Sequence, residues 1–93
     1  MAVKRKTWLV YIVQCEDGTL YTGITNRLEH RLAMHNLGKG ARYTQSRRPV
    51  TLVYQQNARN KSFAAKKEAR IKSLSRQEKL TLIRKTSLNR EPG

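Results

Sequence analysis

The sequence predicts an α+β domain of three strands and about three helices, and three observations carry that reading. Two neighbouring stretches, TWLVYIVQ at residues 7–14 and TLYTGIT at 19–25, are rich in β-branched and aromatic residues; Glu16-Asp17-Gly18 between them reads as a hairpin turn. A third such stretch, VTLVYQ at 50–55, stands apart from them. Between and after the strands, residues 26–36, 63–74 and 76–85 carry helical spacing with polar residues placed to cap.

The length of 93 residues suits one domain around one core. Apolar residues make up 38% of the chain, enough for a modest core and a net stability of a few kcal/mol at about 0.05–0.15 kcal/mol per residue. Residues 7–85 form the expected domain, with a flexible basic arm at 1–6 and a flexible polar tail at 86–93.

The first strand is apolar almost throughout, which suits a strand covered on both faces. Alternation places Leu9, Tyr11 and Val13 on one face and Trp8, Val10 and Ile12 on the other. On the returning strand Tyr21 and Gly23 share a face, so hairpin pairing brings Tyr11 and Tyr21 near each other.

Asn26 followed by Glu29 resembles a capping box, which starts a helix that runs to about Asn36, and Gly38 then ends it. Leu28, Arg31, Leu32 and His35 fall at i, i+3, i+4 and i+7 and make one stripe. Arg31 and His35 therefore lie beside the face that packs on the sheet, whereas Arg27, Glu29 and His30 face water.

The loop GKGARYTQSRRP, residues 38–49, holds Lys39, Arg42, Arg47 and Arg48 with two glycines and Tyr43. Such a loop is able to follow a phosphate backbone and stack on a base; a solvated surface loop is the alternative. After the third strand, Ser62 is the expected N-cap of a helix from Phe63 to Leu74. Ser75 with Glu78 forms a capping box for a last helix from Arg76 to Lys85.

The formal charge of +14, from 20 Lys and Arg against 6 Asp and Glu, strains the compact state by self-repulsion and calls for a polyanion. Nucleic acid is the first candidate, and charge alone does not separate it from an anionic membrane surface or a ribosomal RNA niche. Cys15 is the single cysteine, so an internal disulfide is excluded and a small buried thiol is expected. The N-terminal apolar run is too short and too interrupted for a secretory signal, and no segment approaches the roughly 20 apolar residues that span a bilayer. A cytoplasmic protein without a membrane partner is the expectation.

Five of the six acids have ordinary explanations in turns, capping boxes or the tail. Glu68 does not. In FAAKKEARIKSL it follows Ala64 by four and precedes Ile71 by three, on or beside the apolar stripe. A carboxylate there is either paired, with Lys72 at i+4 as the obvious partner, or used to hold a metal. A single carboxylate suffices for Mg²⁺ when water and a substrate phosphate complete the shell.

Taken together these residues resemble the GIY-YIG nuclease family, in particular its small single-domain bacterial members. Leu9-Val10-Tyr11 stands where the family has Gly-Ile-Tyr, and Tyr21-Thr22-Gly23 where it has Tyr-Ile-Gly. Arg31 follows Tyr21 by ten residues and His35 follows Arg31 by four, as in the family pattern, and Glu68 matches its helical metal-binding glutamate. Ile24 occupies a position where several relatives carry Lys, and the asparagine that some relatives place downstream of the glutamate has no clear counterpart, Asn89 falling in the expected tail.

The resemblance implies that the three strands form one small antiparallel sheet flanked by the helices, and that the protein cleaves a phosphodiester with Mg²⁺ or Mn²⁺. It implies Tyr11 as base for water, Tyr21 as a phenol orienting water or phosphate, and Arg31 as the clamp on the phosphoryl oxygens. His35 becomes an assisting donor or proton carrier and Glu68 the metal ligand. DNA is the expected partner, RNA remaining open, with Lys39, Arg42, Arg47, Arg48, Lys66 and Lys67 as the gripping cations. The expected activity is that of an endonuclease or structure-selective nuclease in DNA repair or recombination; the alternative is a nuclease-like module that binds without cutting.

Overall fold

The structure, a computed structural model, describes residues 7–89. The expected arm at 1–6 and the last four residues of the expected tail lie outside the described residues. Three strands, β1 (Leu9–Gln14), β2 (Leu20–Thr25) and β3 (Thr51–Asn57), form one antiparallel sheet in the order β2-β1-β3. The helices are α1 (Leu28–Asn36), α2 (Arg42–Gln45), α3 (Lys61–Lys72) and α4 (Arg76–Asn89). The α+β reading is thus correct, with one short extra helix.

The central place of β1 explains its unbroken apolar run: Leu9 to Val13 are all buried and only Gln14 is exposed. Leu9, Tyr11 and Val13 pack with Cys15, Val50 and the α1 residues Leu28 and Leu32. Val10 and Ile12 pack on the opposite face with Tyr54, Ile71 of α3, and Leu82 and Ile83 of α4. Two small half-cores therefore share one strand, and Cys15 is the buried free thiol expected. Among the described residues no helix is long and apolar enough to cross a membrane.

Hydrogen bonds set the element ends. In the β1–β2 turn Gly18 takes φ 87°, and the Asp17 carboxylate accepts from the Thr19 N–H at 3.0 Å and its hydroxyl at 2.6 Å. α1 does not use the expected Asn26 cap: Arg27 holds the N-cap position without a side-chain bond, and the Thr25 hydroxyl accepts from the Arg27 N–H at 3.0 Å instead. Thr25 is already fixed by the β ladder, so its oxygen reaches the turn at little entropic cost.

The C-terminus of α1 is a Schellman motif, with Gly38 N–H bonded to His35 O at 3.1 Å, Lys39 N–H to Met34 O at 2.8 Å, and Gly38 at φ 82°. Asn36 then ties the helix to the start of β3. Its side chain donates to Val50 O at 3.3 Å and accepts from Val50 N–H at 2.7 Å.

Asn60, rather than Ser62, caps α3, accepting from Phe63 N–H at 3.0 Å. Its extended backbone, φ −158° and ψ −176°, is the conformation an N-cap needs, whereas Ser62 is already inside the helix. The Ser75–Glu78 capping box of α4 forms as expected, with bonds of 2.8 and 3.1 Å. α4 then continues to Asn89, past the expected end at Lys85.

Candidate active site

Tyr11 sits in the central strand on the face covered by α1, and its ladder partner in β2 is Gly23. A Cβ on Gly23 would lie 2.7 Å from the Tyr11 oxygen, so only glycine lets the phenol lie across β2. α1 presents Arg31 and His35 one turn apart on that side. The Tyr11 hydroxyl lies 2.8 Å from His35 Nε2 and accepts from Arg31 Nε at 3.3 Å. Tyr21 meets His35 edge-on, with ring centroids 5.4 Å apart and planes at 66°. Four of the five expected side chains are therefore linked through Tyr11 and His35, and these two are both fully buried.

Two further residues complete the cluster, and neither was singled out from the sequence. His35 Nδ1 is 2.8 Å from the Thr44 hydroxyl, and that hydroxyl donates to Ala41 O at 3.0 Å. Thr44 belongs to α2, within the stretch expected to be loop throughout, and is fully buried. Gly40 gives the imidazole its space, since a Cβ there would lie 2.5 Å from His35 Nδ1. Two glycines close to a turn-forming Thr are the one sequence signal for such close approach.

Burial sets the charge states. It raises the Tyr11 pKa above 10.0, partly opposed by the hydrogen bond and charge of Arg31, while Tyr21 and Glu68 push it further up. Burial, with the Arg31 charge in support, lowers the His35 pKa below 6.5. The Tyr11 hydrogen bond raises the pKa of Arg31 above its usual value, with Tyr21 adding to the effect. At neutral pH the resting cluster is a phenol, a neutral imidazole and a guanidinium cation.

Glu68 lies on α3, which packs across β2 and β1. Its side chain is 23% exposed and pairs with Lys72 at 3.1 Å, the i,i+4 partner expected. Its charge nonetheless reaches Tyr11, where it raises the phenol's pKa. Among the described residues no three His, Cys, Asp or Glu side chains gather into a cage. One hard carboxylate of that kind fits a cation that keeps water and takes substrate oxygens, and does not fit a metal held by protein alone.

A family model described as the GIY-YIG catalytic domain matches residues 7–81. The chain belongs to the GIY-YIG family. The domain is 57% identical over 81 residues to a UPF0213 protein of Desulfotalea psychrophila, covering 86% of this chain and 74% of that one. It is 57% identical over 74 residues to a UPF0213 protein of Staphylococcus haemolyticus, covering 80% and 90%.

Two solution NMR structures resemble it. One is a UPF0213 protein of Bacillus halodurans, at 40% identity and TM-score 0.54 over 83% of this chain and 82% of that one. The other is an E. faecalis protein, at 36% identity and TM-score 0.60 over 96% and 94%.

In this GIY-YIG domain the cations expected to grip nucleic acid fall into distinct groups. Lys39, on the loop before α2, and Arg42, the first residue of α2, are both exposed. Arg47 is engaged internally: Nε meets Asp17 Oδ2 at 3.1 Å, Nη1 donates to Tyr43 O at 2.8 Å, and the guanidinium lies 4.0 Å over the Tyr43 ring. Tyr43 in turn stacks on Tyr21, centroids 6.1 Å apart. Arg48 donates to Gln45 O at 2.8 Å and to Asn36 O at 3.4 Å. On α3, at about 100° per residue, Lys66 lies about 160° around the helix from Glu68. It sits instead over the half-exposed Phe63 ring, 5.3 Å from its centroid, with Arg59 at 5.0 Å. Lys67 shares that side of α3 and borders a hollow of about 200 Å³ with Phe63, Lys66 and Arg70.

Proposed function

We propose that this GIY-YIG domain is a divalent-metal-dependent nuclease that hydrolyses phosphodiester bonds in DNA, with Tyr11 at its reacting centre. The observation that carries this reading is the Tyr11 hydroxyl, set 2.8 Å from His35 Nε2 and 3.3 Å from Arg31 Nε inside a matched catalytic domain.

Hydrolysis of a phosphodiester needs a base for water and positive charge facing the phosphoryl oxygens. Tyr11 serves as the base: as its proton passes to His35, the phenolate oxygen draws a proton from the attacking water. Arg31 stays charged beside it and offers its remaining N–H donors to the phosphate. Tyr21 orients water or phosphate from β2. Glu68 is the residue that would hold Mg²⁺ or Mn²⁺. When bound, that ion supplies positive charge to the leaving oxygen and offsets the upward push of Glu68 on the Tyr11 pKa.

The test is cleavage of plasmid, branched DNA and RNA by the purified chain in Mg²⁺ or Mn²⁺ and in chelator. Metal-dependent cutting that is lost in Tyr11→Phe, Arg31→Ala and Glu68→Ala supports the reading. If Glu68→Ala and Arg31→Ala cut as well as wild type, the cleavage belongs to another site or to a contaminant. The second reading, a module that binds nucleic acid without cutting, is favoured by the +14 charge and by Lys72 on the Glu68 carboxylate. It predicts salt-sensitive binding that is indifferent to metal and to Glu68.

A further inference from the structure

We propose that Thr44 is a positioning residue that fixes His35 as the Nδ1-protonated tautomer, leaving Nε2 unprotonated to receive the Tyr11 proton. Three side chains and one carbonyl, Tyr11, His35, Thr44 and Ala41 O, form a hydrogen-bonded chain. The Thr44 hydroxyl has one hydrogen and donates it to Ala41 O at 3.0 Å. Its oxygen is then an acceptor towards His35 Nδ1, 2.8 Å away, so Nδ1 carries the hydrogen.

The other end of the chain is satisfied by the same arrangement, and without the Thr44 oxygen a hydrogen on Nδ1 would lose its acceptor. Tyr11 Oη accepts from Arg31 Nε at 3.3 Å, and the phenol's own hydrogen needs an acceptor because the residue is fully buried. His35 Nε2 at 2.8 Å is that acceptor. The opposite tautomer would aim both Arg31 Nε–H and His35 Nε2–H at the phenol oxygen and leave the phenol hydrogen without a partner. The first arrangement gives the phenol hydrogen an acceptor inside the cluster and the second gives it none. Gly40 supports the same geometry by admitting the ring where a Cβ would collide with it.

The catalytic meaning rests on the proposed nuclease activity; the tautomer does not. In that reaction the Tyr11 O–H bond breaks as an N–H bond forms at His35 Nε2, and the phenolate oxygen takes a proton from water as the new oxygen–phosphorus bond forms. The oxygen–phosphorus bond to the leaving group breaks, and the leaving oxygen takes its proton from solvent. His35 returns its extra proton to solvent through Tyr11 Oη. A residue that holds an imidazole in one tautomer acts here as the carboxylate does in a Ser-His-Asp triad.

The experiment is imidazole nitrogen NMR on the full chain in a His30→Gln background, which leaves His35 as the only histidine. The wild-type Thr44 protein is expected to show a protonated Nδ1 and an unprotonated Nε2. Thr44→Val, which keeps shape and removes the acceptor, is expected to mix or reverse the tautomers, and Thr44→Ser to restore them. Single-turnover cleavage is expected to fall on the order of 10- to 100-fold in Thr44→Val and to recover in Thr44→Ser. A protonated Nε2 in the wild-type protein, or an unchanged tautomer in a folded Thr44→Val, overturns the inference even if the protein cuts DNA. The expected tautomers in a protein that cuts nothing uphold it and sink the nuclease reading instead.

Discussion

Gly23 faces Tyr11 across the β1–β2 ladder at a distance that admits a hydrogen and nothing larger. The second half of the Tyr-Thr-Gly motif is therefore a steric requirement of the first tyrosine. Gly23→Ala is expected to displace the phenol from His35 and Arg31, to cost about 1–3 kcal/mol of stability by overpacking, and to remove activity. Denaturant unfolding alongside the cleavage assay checks this. An alanine variant of wild-type stability and activity would show that the ring has somewhere else to go.

Tyr11→Phe keeps the packing and removes one oxygen. Arg31 Nε and His35 Nε2 both lose their shared partner, so a loss of about 1–3 kcal/mol is expected together with loss of cleavage. Unfolding and turnover measured on the same preparation separate the two effects.

The pH dependence of stability follows from the direction of each shift. The folded pKa of His35 lies below the 6.5 of the unfolded chain, so the unfolded state binds more protons in between, and stability falls as pH drops below about 6.5. The folded pKa of Tyr11 lies above 10.0, so its contribution is complete below pH 10 and is lost as pH rises above it. Chemical unfolding across pH should show both limbs. His35→Gln flattens the acid one, and an acid limb of unchanged depth in that variant counts against a buried neutral imidazole.

Glu68→Gln removes a charge that raises the Tyr11 pKa. The Tyr11 pKa is expected to move down in this variant, read by ring-carbon NMR through an alkaline titration. Stability is expected to change by only about 0.5 kcal/mol, because the partner Lys72 is 55% exposed and the pair is a surface one. An unmoved Tyr11 would place the acid out of electrical reach of the site.

Lys39→Ala and Arg42→Ala are expected to weaken nucleic-acid binding, to lower the slope of log affinity against log salt by about 0.7–0.9 each, and to leave stability unchanged. Arg47→Ala is expected to lower stability, because it loses Asp17, the Tyr43 carbonyl and the Tyr43 ring together. Filter binding over a salt series with parallel thermal melts tells the two kinds of cation apart.

Local rules made much of this domain legible. An unbroken apolar run announced β1 as a covered strand, and alternation and helical spacing placed Tyr11, Tyr21, Arg31 and His35 on faces that meet. Thr44 was not legible, since a threonine in a glycine-rich loop shows no period and its burial depends on how the loop folds back over α1. The same limit applies to Arg47, whose carboxylate partner Asp17 lies thirty residues earlier in the chain. Charge in a sequence marks a cation without showing whether another part of the fold already holds it. Asn60 and Ser62 are both good caps by type, and only the backbone decides between them.

The place of β1 between two partner strands has a consequence for breathing motions. The Tyr11 amide lies in the doubly flanked strand, so its hydrogen is expected to exchange with solvent more slowly than the amide of an exposed loop residue such as Lys39. The oxygen assigned to the chemistry thus rides on the part of the chain expected to open last, while the exposed cations Lys39 and Arg42 stand outside the sheet.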